Sequence, residues 1–230
     1  PIVSLKSPIH EMGHIFGLLD LYNSSGQTPV YFMSAMANAI SPVPQGLSIK
    51  EKESLGWTDH STLKTITGPD EYKVKLSGTA TGPDDCIGYK ASIPELNRTL
   101  YLEYRNFSTD GSKYDKLEKQ LTNSETSNIK SGLVCYLAKS DIRFPSNLNG
   151  KPGNWALEVM GGTQSTKSDA ALGVNDSLQV TDKFKVTVTS IEGDVLTFQV
   201  EGEVEKHVHS GGQATCTKKA VCEECNEEYG

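Results

Sequence analysis

From about residue 61 onward the chain is written in short strand-like segments separated by polar turns, the first of them with apolar residues at every second position, the spacing of strands with one buried face. Residues 64–67 and 72–76 alternate in this way, and 87–93, 100–107, 132–138, 155–160, 185–190 and 195–200 are further candidates. Glu192-Gly193-Asp194, between the last two, carries a hairpin turn signal. So many short strands separated by polar turns predict an antiparallel, sandwich-like region over residues 61–202, as one unit or two smaller ones. Within it, residues 109–130 are polar and charged and read as a long surface loop. Residues 203–230 are rich in Glu, Lys, His and Gly and then Cys, which reads as a linker into a Cys-containing tail.

The first sixty residues have a different period. Ile9, Met12, Ile15 and Phe16 recur at helical spacing and give an apolar face. Ser7 can cap such a helix, Pro8 suits its first position, and Gly17 can end it in the left-handed conformation. Tyr31-Phe32-Met33-Ser34-Ala35-Met36 is a short apolar run after a polar loop. A second helix is predicted over 48–56, with Ser48 as cap, Glu51 completing a capping box and Gly56-Trp57 closing it. Helices in residues 1–60 and strands in 61–202 make the expected fold class α+β.

Composition excludes several functions. The net charge of -7 argues against a nucleic-acid surface, which needs clustered Lys and Arg. No run of eighteen or more apolar residues is present, so no membrane-spanning segment is expected. The five cysteines cannot all pair with one another. Cys86 and Cys135 lie singly in strand-like segments and read as free and buried, with a mutual disulfide as the alternative. The chain opens on Pro1 with little sequence ahead of the first helix, so it reads as a piece of a longer protein beginning just before that helix.

The chemistry is concentrated in His10-Glu11-Met12-Gly13-His14-Ile15-Phe16-Gly17-Leu18-Leu19-Asp20. Two histidines four residues apart project from one side of a helix and can hold one metal ion. Glu11, beside the first of them, is placed to take a proton from a water on that ion as general base. Gly17 lets the chain turn sharply, so Asp20 can return a third ligand and leave an open position. The metal expected from this set is Zn2+. Asp20 has a competing role as a cap of the turn, and Glu51 and Glu53 on the second helix are rival third ligands. Met33 is a candidate for a methionine turn beneath the metal, or else ordinary core.

The segment His10 to Tyr22 resembles the active-site segment of the immune-inhibitor-A-type secreted bacterial metalloproteases, a zincin group with metzincin-like features. The likeness continues in Leu47-Ser48-Ile49-Lys50-Glu51-Lys52-Glu53-Ser54-Leu55-Gly56-Trp57, in Tyr101-Leu102-Glu103-Tyr104-Arg105-Asn106, and in Gly132-Leu133-Val134-Cys135-Tyr136. Asn23, Leu137 and Lys139 depart from residues common in that group, and none of these touches the histidine motif. The resemblance implies an extracellular zinc endopeptidase acting on protein or peptide substrates, with residues 1–60 the last part of its catalytic domain. The tail around Cys216, Cys222 and Cys225 is similar to the start of Cys-rich repeats on surface proteins of Gram-positive gut bacteria. With His207 or His209 those cysteines could form a small zinc knuckle, or a disulfide in a secreted protein. Cell-surface attachment is then expected through regions outside this stretch. The alternative reading is a catalytically inactive fragment or vestigial peptidase serving as a cell-surface binding or anchoring module, and this stretch in isolation is expected to be inactive.

Overall fold

The computed structural model describes residues 6–37, 45–78, 82, 85–107, 129–139, 152, 154–163, 167–203, 211–213, 215, 219–221 and 228–229. Most of the expected surface loop at 109–130 lies outside them, as do Cys216, Cys222, Cys225, His207 and His209.

The architecture is mainly β, which corrects the α+β expectation: strands take 39% of the described residues and helices 13%. The helical patterns do form helices, α1 (Lys6–Ile15) and α2 (Ile49–Ser54), but these have only 10 and 6 residues. Elements that short contribute little buried area, so the bulk of the core comes from sheets. α1 also starts earlier than predicted, which puts Ser7 inside its first turn instead of at the cap.

Strands β1 (Leu63–Thr65), β2 (Glu71–Lys75), β3 (Gly88–Ile93), β4 (Arg98–Arg105), β5 (Gly132–Ala138), β6 (Leu157–Val159), β7 (Ser177–Thr181), β8 (Phe184–Glu192), β9 (Val195–Gly202), β10 (Ala220–Val221) and β11 (Glu228–Tyr229) follow in chain order. One sheet runs β1-β3-β4-β5-β6, a second β2-β9-β8-β7, and β10 pairs with β11. The five-stranded sheet is mixed, because β1 runs parallel to β3; the four-stranded one is antiparallel throughout. β8 and β9 form the expected hairpin, with Glu192 opposite Val195 across Gly193-Asp194.

Both faces of the five-stranded sheet are covered. On β4 and β5, Leu100, Leu102, Tyr104, Leu133, Cys135 and Leu137 point to one side and meet Val74, Val186, Val188 and Phe198 of the second sheet. The intervening Tyr101, Val134, Tyr136 and Ala138 point to the other side and pack with Leu18, Leu19, Leu21, Met33, Met36 and Ile49. This is why both strands read as continuous apolar runs with little alternation. Cys86 and Cys135 are free and buried, and burial pushes the Cys135 thiol up to about 12. No helix among the described residues is long and apolar enough to cross a membrane.

Candidate metal centre

α1 ends in a motif that returns the chain on itself. The Leu18 N–H bonds the Gly13 carbonyl and the Gly17 N–H bonds the His14 carbonyl, with Gly17 at φ +89°. This is the paired closure that a left-handed residue after a helix permits. It turns residues 18–21 back along the helix and brings Asp20 to the two histidines. Asp20 Oδ1 lies 3.0 Å from His10 Nε2 and 3.3 Å from His14 Nε2. The ligand-capable atoms of the three residues all fall within 4.8 Å of one another.

The other ring nitrogens decide what these three can hold. His10 Nδ1 lies 3.0 Å from the Ala35 carbonyl and His14 Nδ1 2.9 Å from the Leu18 carbonyl. A carbonyl oxygen only accepts, so each Nδ1 carries the hydrogen. Nε2 of each ring is then the atom left facing the same carboxylate, and without a hydrogen it presents a lone pair there. Three electron-pair donors facing one another require positive charge among them, from a metal cation or from protons on the rings.

Tyr22 completes the near surroundings. Its ring stacks on His10 with centroids 6.2 Å apart. Burial, a hydrogen bond to Asp20, and the negative charges of Asp20 and Glu11 push its hydroxyl up to about 12. Glu11 itself is exposed, so its carboxylate is open to water on the same side as Tyr22.

The rival ligands are committed elsewhere. Glu51 is buried, accepts bonds from the Ser48 N–H and hydroxyl, and accepts another from Ser34 Oγ at 2.7 Å. With the Ser48 hydroxyl receiving the Glu51 N–H, this is the capping box expected for α2. Burial raises the Glu51 carboxyl, with the bonds from Ser48 and Ser34 opposing. Glu53 accepts from Lys50 at 2.8 Å, Tyr101 at 2.7 Å and Lys90 at 2.9 Å. Burial would raise its carboxyl, but those three bonds outweigh it and hold the group down at about 2.

Met33 is buried, and the methionine against α1 is Met36, whose sulfur fills the space a Cβ on Gly13 would need. Asn23 is held in its own loop, its Oδ1 accepting from the Ser25 and Gln27 N–H groups. Sequence reasoning missed Tyr22, Ser34, the Ala35 carbonyl and Met36. Tyr22, two residues after Asp20, was the only one of these within reach of a local pattern. The apolar face of α1 is read correctly as a face, but Ile9, Met12, Ile15 and Phe16 are exposed, and three of them line a cavity with Trp57 and Leu47. Comparison of the chain with known protein families, with curated proteins and with solved structures finds no match.

Proposed function

We propose that the chain carries the catalytic helix of a secreted zinc-dependent endopeptidase, in which His10, His14 and Asp20 hold the metal and Glu11 is the general base. The observation that carries this reading is that Nε2 of both histidines and one carboxylate oxygen come together within 4.8 Å, while both Nδ1 atoms lie against backbone carbonyls. Two nitrogens and one oxygen are an ordinary donor set for zinc, and a set of three leaves a position open. Outer bonds of this kind also fix ring orientation in known zinc sites.

When bound, zinc would acidify a water and polarise a substrate carbonyl. The chain's own residues do the rest. Glu11 Oε takes the proton of the attacking water and later returns it to the leaving amine. The Tyr22 hydroxyl, kept protonated near neutral pH, can donate to negative charge that develops on the substrate oxygen once its one hydrogen is released from Asp20. The substrate is a protein or peptide, and the setting extracellular, as the family resemblance implies.

The test compares wild type and Glu11→Gln for zinc content and for cleavage of an unfolded casein substrate. Gln keeps the shape but cannot accept the proton, so zinc should remain while hydrolysis falls about 10²–10⁴-fold. Equal cleavage by the two, with equal zinc, would remove Glu11 from the reaction.

A further inference from the structure

Four consecutive residues link the candidate metal centre to the interior, and each is fixed by a different partner. The Met33 carbonyl accepts from Arg105 Nη1 at 3.0 Å. That guanidinium also donates to Glu103 Oε1 at 2.9 Å and Tyr136 Oη at 3.3 Å. Ser34 Oγ donates to Glu51 Oε1 at 2.7 Å and accepts from the Met36 N–H at 3.0 Å. The Ala35 carbonyl receives His10 Nδ1 at 3.0 Å. The Met36 carbonyl receives the Leu21 N–H at 2.9 Å, one residue from Asp20, while the Met36 sulfur packs beneath Gly13.

Ser34, Glu51, Glu103 and Arg105 are all essentially without solvent contact. Their bonds are not exchanged with water, and buried hydrogen bonds to charged groups are among the stiffest a protein makes. Residues 33–36 are therefore held from α2 on one side and β4 on the other. What they present outward is one carbonyl against His10 and one against the backbone next to Asp20.

We propose that residues 33–36 form a bracket that fixes the His10 imidazole and the Asp20 backbone, and that Ser34, Glu51 and Arg105 are positioning residues that set the site's metal affinity through it. None of the three contacts His10, His14 or Asp20 in the bonds described above; they act through the Ala35 and Met36 carbonyls. The inference rests on the reading of His10, His14 and Asp20 as metal ligands. The capping box of α2 then has a second duty: the Glu51 oxygen not used on Ser48 anchors the bracket.

The experiment uses the whole 230-residue chain and two probes, zinc and cobalt(II), with affinity read by competition against a chromophoric chelator. Ser34→Ala deletes one hydroxyl and both bonds it makes. Ser34→Thr restores the hydroxyl, and Val186→Ala, in the core on the far side of the sheet, is a control for plain destabilisation. Loss of an outer-sphere support costs about 10–100-fold in metal affinity. Ser34→Ala should therefore weaken zinc binding about 10-fold, Ser34→Thr should recover most of it, and Val186→Ala should leave it unchanged. Cobalt absorption should also broaden in Ser34→Ala alone. A measurement that needs no variant is the ¹⁵N spectrum of His10 in the metal-free wild type, in which Nδ1 should carry a hydrogen, whether or not Nε2 does. An Nδ1 without a hydrogen there, or Ser34→Ala binding zinc as tightly as Val186→Ala, would overturn the bracket while leaving the metal site standing. A wild type that takes up neither metal at His10 and His14 would sink the metal reading, and the bracket with it.

Discussion

The two cores on either side of the five-stranded sheet are built in opposite ways. The one shared with the second sheet is almost wholly apolar, with Tyr72, Tyr89 and Phe198 packed ring on ring at 5.1–5.6 Å. The one beneath the candidate metal centre encloses Ser34, Ser48, Glu51, Glu103 and Arg105 as well as its leucines and methionines. Apolar burial is non-directional and stabilises in proportion to area. Buried charges and hydroxyls add little net stability, but they hold their partners in one arrangement. The contrast suggests a division of labour: the far core supplies stability and the near core supplies geometry.

That division can be broken at either end. Phe198→Ala should be the most costly change, about 3–5 kcal/mol by the usual range for a fully buried phenylalanine. It should do so without altering zinc affinity in the protein that remains folded. Denaturant unfolding and metal titration on the same sample check both halves, and a large loss of affinity would show the two cores to be coupled.

Asp20→Ala is the converse. Removing a direct ligand should weaken zinc by more than the roughly 100-fold upper range for outer-sphere partners, about 2.7 kcal/mol. The midpoint of metal-free unfolding should scarcely move, since Asp20 is only partly buried. A chain that keeps its zinc affinity but melts earlier would return Asp20 to the role of a turn cap.

The smallest effect sharpens the boundary between the cores. Glu53 ties α2 to β3 and β4 through Lys90 and Tyr101, and its carboxyl sits at about 2 against an ordinary 4.5. The folded value is the lower one, so its contribution is complete above pH 4.5 and is lost as pH falls toward 2. Glu53→Gln should be less stable than wild type at neutral pH, with the gap closing across that window. A gap independent of pH would mean that the ionised carboxylate adds nothing.

Local signals in the sequence were reliable and global weights were not. Ser48 and Glu51 announce the α2 cap at three-residue spacing, and the structure has it. The same cap spends Glu51, which is why its candidacy as a ligand could be weighed only once Ser34 was seen against it. β8 and β9 are legible because their alternation is strong and Gly193 lies between them. β7 is not legible because Ser177–Thr181 lies at the sheet edge and buries only Val180. The helices were located correctly but given too much of the fold, since periodicity marks where a helix lies and not how much of the core it supplies. Asp20 meeting His10 and His14 was legible from spacing, whereas Met36 lying under Gly13 depends on a path the sequence does not display.

The two-sided burial of β4 and β5 bears on how the molecule opens. Their amides are shielded by a layer on each side, so hydrogen exchange there should report on unfolding of the whole chain. α1 has solvent on its apolar face and should exchange by local fraying at far lower free energy. If His10, His14 and Asp20 hold a metal as proposed, its release would need only a transient loosening of one short helix while the sheets beneath it stay closed.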